Sequence, residues 1–194
     1  MLQLKSLAVA LLFLWTSNSF AVPKQIYFKT GMLKGMYSGP RSVGFTVIPT
    51  MEAEMEFFFS SAKSEIVKLV NAYDLSEAKN NYTYIGYGNR YYLGGPAINF
   101  SAQEFGVDYK SGVGMRYYVG WDAGIAHVLV LGATSSLDTT SALFQLGITG
   151  GLIYQISQSL GLDISLGSTY GFGFTTVSVG GLSLRGMFGV TYFL

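Results

Sequence analysis

The C-terminal segment alternates in chemical character, and this period constrains the fold more than any other feature. Along residues 182–194, every second position is large and apolar apart from one glycine, while the positions between are mostly small or polar and include Arg185. Successive side chains of a β-strand point to opposite faces, so a period of two predicts a strand with one apolar and one polar face. The pattern recurs in segments that begin at Val43, Val113 and Leu160.

The composition is typical of a chain whose surface is covered by lipid. Hydrophobic residues make up 49% and charged residues 12%, whereas soluble domains carry about 25% charge. After residue 21, glycine or a charge interrupts each apolar stretch before it reaches the roughly 20 residues of a spanning helix. Only helices and closed barrels can span lipid, so we predict an all-β fold, an antiparallel transmembrane β-barrel. The competing fold, a soluble lipocalin-like barrel, would place the large apolar residues inside.

The alternation predicts eight strands, an even number as in single-chain bacterial barrels. Seven follow from the pattern, whereas segment 98–109 has a weak pattern and is included partly to reach an even number. Pro49 cannot donate to a ladder and predicts a bulge or a local break in its strand. The predicted strands are 25–37, 43–59, 82–94, 98–109, 113–131, 140–156, 159–173 and 178–194.

Residues 61–75 depart from the alternation. Ser61 or Ser64 could cap a helix, and the apolar residues that follow recur at helical spacing. We therefore predict one short amphipathic helix in a connection, which either covers one mouth of the barrel or lies against lipid headgroups. The apolar residues are Ile66, Val67, Leu69, Val70 and Tyr73.

The first 21 residues have the parts of a secretory signal peptide. Lys5 supplies the positive charge, Leu7 to Trp15 form an apolar run, and Ser19-Phe20-Ala21 place small residues at the expected cleavage positions. We expect cleavage near Ala21, with residues 1–21 as the signal peptide and residues 22–194 as the barrel.

A cleavable signal, strands rich in Tyr and Phe, and an aromatic final strand together resemble the small Gram-negative outer-membrane barrels of the OmpA, OmpX and OmpW type. The resemblance covers residues 22–194 and implies export to the periplasm followed by insertion into the cell outer membrane. The segment from Gly186 to Leu194 resembles the assembly signal that the barrel-insertion machinery reads. It departs from that signal by ending in Leu194, where Phe or Trp is usual.

The inward faces of the predicted strands collect four basic and five acidic residues. The interior of an eight-stranded barrel is just wide enough for side chains to fill it, and buried charges require partners. We predict a salt-bridge network that plugs the lumen; the alternative is a charged gate whose pairs exchange to admit ions. The predicted lumen charges are Lys29, Glu52, Glu54, Glu56, Arg90, Arg116, Asp122, Asp163 and Arg185.

The three glutamates on one strand face, Glu52, Glu54 and Glu56, also resemble a site for a hard cation. The predicted lumen arginines are a simpler source of counter-charge, so we predict no metal and no cofactor. The chain has no cysteine, which excludes disulfides and thiolate metal sites.

His127 is the single histidine and falls on the predicted lipid-facing set. Lipid A deacylases are similar in size but carry a His-x-Ser on one strand, and here Val128 and Leu129 follow the histidine. Palmitoyl transfer would need a histidine in a surface loop. A triad needs a serine and an acid within reach of the base, so we predict that the protein is not an enzyme and that His127 is an interfacial or tolerated residue.

Outward aromatic side chains are candidates for the girdles at the two membrane interfaces, where amphipathic rings favour the headgroup depth. The predicted girdle residues are Tyr87, Tyr91, Tyr117, Trp121, Tyr154, Tyr170 and Tyr192.

These patterns favour a structural or membrane-organising barrel. A narrow porin-like transport barrel for ions or small apolar solutes is one alternative, and self-association through walls with small outward residues such as Gly150 and Ala142 is another. The predicted outer connections, near 38–42, 95–97, 132–139 and 174–177, are too short for a large adhesin. The expected partners are outer-membrane lipid, the insertion machinery, and no nucleic acid, because the mature charge is 11 − 11 = 0 without Lys5.

Overall fold

The structure, a computed structural model, describes residues 24–38, 43–44, 47–74, 79–94, 98–103, 106–130, 139–174 and 178–194. This part of the chain contains no helix with the length and hydropathy that crossing a membrane requires. Its regular elements are the strands β1 (Lys24–Ser38), β2 (Val43–Gly44), β3 (Ile48–Phe58), β4 (Lys63–Asp74), β5 (Lys79–Gly94), β6 (Ile98–Gln103), β7 (Gly106–Ser111), β8 (Gly114–Val130), β9 (Thr139–Gln155), β10 (Leu160–Phe174) and β11 (Ser178–Phe193).

Eight of these strands close into an antiparallel barrel in the order β1-β3-β4-β5-β8-β9-β10-β11, and β11 pairs back onto β1. A path that starts at Gln25 and follows direct ladder partners once around the barrel returns at Gly35, which is 35 − 25 = 10 residues further along. Closure with such a stagger tilts the strands by typically 35–45°. The predicted closed eight-stranded fold is therefore confirmed.

The helix predicted at residues 61–75 is wrong, because residues 63–74 form the barrel strand β4. This strand pairs with β3 from Thr50↔Ala72 to Phe58↔Ser64 and with β5 along its other edge. Its position between two full-length strands satisfies its backbone groups on both sides, which outweighs the local helical spacing.

The barrel strand predicted at 98–109 is also wrong. The segment forms two short strands, β6 and β7, that pair only with each other from Ile98↔Ser111 to Gln103↔Gly106. This hairpin belongs to the connection between β5 and β8, on the end of the barrel that holds Lys24 and Phe193, which we call the terminal end. The predicted outer connection near 95–97 lies outside the described residues; Gly94, which precedes it, ends β5 at the terminal end and not at the opposite one, the loop end.

The strand predicted at 43–59 is interrupted, as the proline suggested. Val43 and Gly44 form β2, which pairs with the loop-end part of β1. The strand β3 begins at Ile48, one residue before Pro49. Pro49 has Met32 on β1 as its ladder partner, while the ladder with β4 starts at Thr50, so the missing N–H falls at the end of a strand. The strands predicted at 25–37, 82–94, 113–131, 140–156, 159–173 and 178–194 are confirmed, with bounds shifted by at most about three residues.

Inward glycines make room for tyrosine rings. A Cβ at Gly151 would meet the ring carbon and hydroxyl of Tyr118 closer than real Cβ contacts allow. We expect Gly151→Ala to lower the free energy of unfolding by about 1–3 kcal/mol, because it displaces a packed ring. Equilibrium unfolding in vesicles would measure the loss. Gly150→Ala is the matched control, since its Cβ would point to the outer face and meet nothing nearer than 3.9 Å; an equal loss there would contradict the explanation.

Candidate functional site: the charged interior

In the described residues, the barrel buries ten charged side chains, each at most 5% exposed. Nine are the charges that the sequence predicted for the lumen, and all nine lie on inward positions. The tenth is Lys68 on β4, which the helix prediction left out. The interior thus holds five cations, Lys29, Lys68, Arg90, Arg116 and Arg185, and five anions, Glu52, Glu54, Glu56, Asp122 and Asp163.

Glu54 lies at the centre of this charge network and contacts three cations. Its carboxylate is 2.6 Å from Arg90 Nη2, 3.0 Å from Lys29 Nζ and 3.7 Å from Lys68 Nζ. The ladders explain two of these contacts. Lys68 is the direct ladder partner of Glu54. Lys29 is the direct partner of Glu52, which lies two positions from Glu54 on the same face of β3, so Lys29 is a diagonal neighbour of Glu54. Arg90 reaches Glu54 from β5, beyond the intervening β4.

Lys29 connects β3 to β10 across the lumen. Its Nζ is 3.1 Å from Glu52 and 3.1 Å from Asp163. Asp163 also accepts a hydrogen bond of 2.8 Å from the Tyr118 hydroxyl. The network therefore joins strands that are not neighbours in the barrel.

Towards the loop end, Asp122 continues the network. Lys68 Nζ donates to one of its oxygens at 2.7 Å, Arg185 Nη2 is 3.8 Å away, and the Tyr84 hydroxyl donates to the other oxygen. Arg185 also approaches Glu52, with 3.4 Å between Nε and Oε2.

Towards the terminal end, Glu56 is surrounded by donors. The hydroxyls of Tyr27 and Ser64 donate to its two oxygens, the Tyr92 hydroxyl donates at 2.7 Å, and Arg90 Nη1 donates at 3.1 Å. A buried carboxylate with this many partners is compensated for its lost hydration.

The sequence prediction missed the tyrosines that complete the network. Tyr27, Tyr92 and Tyr118 turn inward and donate to the buried carboxylates. Each lies two positions from a predicted lumen charge on the same strand, so the period that identified the charges also identifies these rings. Arg90 lies between two of them, 4.7 Å from the centre of the Tyr27 ring and 4.1 Å from that of Tyr118.

Arg116 occupies a different environment near the terminal end. Its Nη2 is 3.3 Å from the side-chain oxygens of both Gln25 and Gln155. Its guanidinium lies 5.0 Å from the centre of the Tyr92 ring and 5.5 Å from that of Phe193. Among the described residues, no carboxylate lies within ion-pair distance of Arg116, so amide oxygens and ring faces stabilise this cation.

Both ends of the network are covered by large side chains. At the terminal end, the Phe58 ring stacks on Tyr92 and Phe193, with ring centres 5.9 and 5.6 Å apart. At the loop end, buried side chains from several strands form an apolar cluster. Its members are Leu33, Tyr37, Ile48, Val70, Ala72, Tyr82, Tyr84, Ala126, Val128 and Leu143.

The aromatic residues predicted for the girdles all lie exposed on the outer face, at different heights. Tyr170 lies four residues from the loop end of β10, while Tyr87 and Trp121 lie near the middle of β5 and β8. The other four, within three residues of the terminal ends of their strands, are Tyr91, Tyr117, Tyr154 and Tyr192.

The residues considered for chemistry are separated in the structure. His127 is exposed on the outer face of β8, and the three glutamates of β3 each face a lysine or an arginine in the interior. Within the described ranges, no cluster of three or more His, Cys, Asp or Glu side chains is arranged to hold a metal.

An eight-stranded antiparallel barrel with charges inside and large apolar side chains outside defines the class of small outer-membrane barrels. Neisserial surface protein A shares this fold with a TM-score of 0.55 and 15% identity, over 86% of this chain and 96% of that one. This likeness confirms the resemblance to small outer-membrane barrels at the level of the fold.

Two structures from Pseudomonas aeruginosa also align. The N-terminal barrel domain of OprF has a TM-score of 0.48 and 16% identity, over 87% of this chain and 97% of that one. OprG has a TM-score of 0.48 and 10% identity, over 90% and 97%. No family model and no curated protein matches the chain.

Proposed function

We propose that this protein is a non-enzymatic integral barrel of a Gram-negative outer membrane, with a structural or membrane-organising role and a lumen closed by its own side chains. The observation that carries the proposal is the balanced set of five buried cations and five buried anions inside a barrel whose outer wall is apolar. Charges inside and hydrocarbon outside are the reverse of a soluble barrel.

The outer wall supports a lipid environment. Met51 and Leu166 are each 72% exposed, Ile148 is 68% exposed and Ile125 is 66% exposed, and they belong to four different strands. Soluble monomers rarely expose apolar patches beyond a few hundred Å². A band of this kind around the whole barrel is compatible with hydrocarbon as its solvent.

Aromatic residues support a definite position in the bilayer. The terminal-end group of Tyr91, Tyr117, Tyr154 and Tyr192 fits one interface, and Tyr170 fits the other. The strands β8 and β9 have 17 residues each, more than the ~9–11 that a crossing needs. We infer that the excess lies outside the hydrocarbon, and we include in the same proposal export through a signal in residues 1–21 and assembly by the insertion machinery.

The charge network favours a closed lumen over a transport barrel. Lys29, Glu54 and Arg90 have side chains at most 1% exposed, and a water-filled path through them would need to separate each from its partners. Breaking a buried ion pair is costly because it leaves an uncompensated charge. The apolar cluster and the aromatic stack close the two ends further.

The location has a direct test. We expect the protein to sediment with outer-membrane fragments and its folded form to migrate differently from the heated form on gels, because a closed barrel resists detergent at room temperature. Recovery in the soluble periplasmic fraction would overturn the membrane assignment.

The closed lumen has a separate test in planar bilayers. The purified protein, inserted without further partners, should give no large and steady single-channel current, because its interior is filled by paired side chains. Empty bilayers and an open porin are the controls. Large steady conductance would overturn the closed lumen and favour the transport alternative, while leaving the membrane location intact.

A further inference from the structure

The apolar band of the outer wall is shorter on β4 and β5 than on β9 and β11. On β11, the five outward positions above Tyr192 are all apolar. On β9, the outward positions above Tyr154 are apolar over ten residues, which corresponds to roughly 25 Å along the barrel axis at a usual strand tilt. They are Leu152, Gly150, Ile148, Leu146, Phe144 and Ala142. This height matches the apolar band that is typical of outer-membrane barrels.

On β4 and β5, polar side chains interrupt this band from both ends. Towards the terminal end, Glu65 on β4 and Asn89 on β5 face outward as direct ladder partners. Towards the loop end, Asn71 and Thr83 form another outward pair, in which Thr83 donates a hydrogen bond of 3.0 Å to the Asn71 side-chain oxygen. His127, exposed on β8, is the ladder partner of Thr83 and extends this second row. We call these five residues the polar seam.

Only a short apolar stretch remains between the two rows of the polar seam. Six positions separate Glu65 from Asn71 on β4, and the two seam residues on β5 are equally far apart. This spacing corresponds to roughly 15 Å along the barrel axis. The outward side chains between the rows are Val67 and Leu69 on β4, and Tyr87 and Ile85 on β5. The band therefore continues across these strands, but at about half its usual height.

A bilayer of full thickness would bury the polar seam in hydrocarbon. Lys63 is the ladder partner of Tyr91 and so lies at the level of the terminal-end tyrosines, whereas Glu65 lies two positions, about 5 Å, further into the membrane. Within the described ranges, every salt bridge lies in the interior, so the Glu65 carboxylate has no cation partner on the outer wall. A charge on a lipid-facing wall becomes more costly with depth. Lipids adapt to a short apolar band by thinning, which brings headgroups and water to the polar atoms.

We propose that the barrel thins the bilayer on one side, so that the hydrocarbon layer beside the polar seam is roughly 10 Å thinner than that beside β9 and β11. The inference rests on the proposed membrane location and gives the membrane-organising role a definite form. Lipid fits the seam because headgroups of the two leaflets reach the two polar rows, while shortened chains cover the apolar stretch between them.

Spin labels on single cysteines test this thinning, because the chain has no cysteine of its own. Tyr87→Cys carries the label between the two rows of the seam, and Phe188→Cys is the matched control on β11. The two side chains are 49% and 50% exposed, and each lies four positions above a terminal-end tyrosine. In dioleoylphosphatidylcholine vesicles, collisions with lipid-soluble oxygen and with a water-soluble nickel chelate give the depth of each label. We expect the label at position 87 to be shallower by about 5 Å, because each leaflet takes half of the thinning.

A double variant tests whether the seam causes the difference. Glu65→Leu with Asn71→Leu restores an apolar outer face on β4 and should move the label at position 87 at least halfway to the depth of the control. Thr30→Leu, at an exposed polar position on β1 outside the seam, should leave that depth unchanged. Heat-modifiable mobility confirms that each variant folds. If the double variant misfolds, thin dilauroylphosphatidylcholine vesicles decide, since the difference between the two labels should shrink there.

The outcomes separate the thinning from the membrane location. Equal depths at positions 87 and 188, or a depth at 87 that the double variant does not change, would overturn the thinning and leave the membrane location standing. A label at position 87 that neither oxygen nor nickel reaches would reveal a protein contact and overturn the lipid border. Collisions with nickel alone at both positions would overturn the membrane location itself.

Discussion

Replacing Glu54 by glutamine should lower the free energy of unfolding by about 3–5 kcal/mol, the usual effect of removing one partner from a buried ion pair. Glu54 contacts Arg90, Lys29 and Lys68, and all four side chains are at most 1% exposed. Glutamine keeps the size of the side chain but removes the charge, so the interior is left with five cations and four anions. The remaining carboxylates cannot move to replace it, because they are fixed by their own partners.

Denaturant unfolding of the barrel in vesicles measures this effect. Removal of the expected signal peptide, with Trp15, leaves Trp121 on the outer wall as a single fluorescent reporter of the folded state. Glu65→Gln is the matched control, since Glu65 lies on the outer face of β4, and we expect a loss of less than about 1 kcal/mol there. Equal losses in the two variants would show that the interior charges are not specially coupled.

The lumen charges could be predicted from the sequence because each strand that carries them has a clear period of two. Glu52, Glu54 and Glu56 alternate with less polar residues on β3, and Arg185 alternates with leucines on β11. A closed barrel of eight strands has one interior, so inward residues of all the strands must meet. Their pairing did not follow from the sequence, because the contact between Lys29 and Asp163 joins strands that are not neighbours.

The strand β4 could not be predicted, because its two faces are chemically mixed. Its inward set includes the apolar Ile66 and Val70, and its outward set includes Glu65 and Asn71. One outward polar group is accommodated by β5, where Thr83 donates a hydrogen bond to the Asn71 side-chain oxygen. This partner lies on another strand, so the residue pattern within 61–75 alone shows only the helical spacing.

The prediction of a barrel strand at 98–109, where the hairpin of β6 and β7 lies, was wrong for a different reason. With residues 61–75 predicted as a helix, the alternation supports seven strands, and 98–109 is included partly because single-chain barrels have an even number of strands. Its two halves instead pair with each other, and Gln103↔Gly106 closes the turn. The even number of strands was therefore correct, although one of the eight segments was misplaced.

Replacing Lys68 by methionine is the experiment that depends most directly on this corrected strand. Lys68 Nζ lies 2.7 Å from Asp122 and 3.7 Å from Glu54, and the side chain is fully buried. The variant leaves two carboxylates short of a cation, so we expect a loss of about 3–5 kcal/mol in the free energy of unfolding. Had residues 63–74 been a surface helix, the same change would stay within about 0.5 kcal/mol. Denaturant unfolding in vesicles separates these two results.

The double variant Lys68→Met with Asp122→Asn tests whether the loss comes from the pair itself. It restores the balance at four cations and four anions, and Arg185 keeps its contact with Glu52 at 3.4 Å. We expect the double variant to cost less than the sum of its two single variants, with a coupling of about 0.5–3 kcal/mol. Lys63→Met, on the exposed outer face of the same strand, should be nearly neutral. Additive losses for the pair, or a loss at Lys63 equal to that at Lys68, would contradict a network in which charge balance holds the barrel closed.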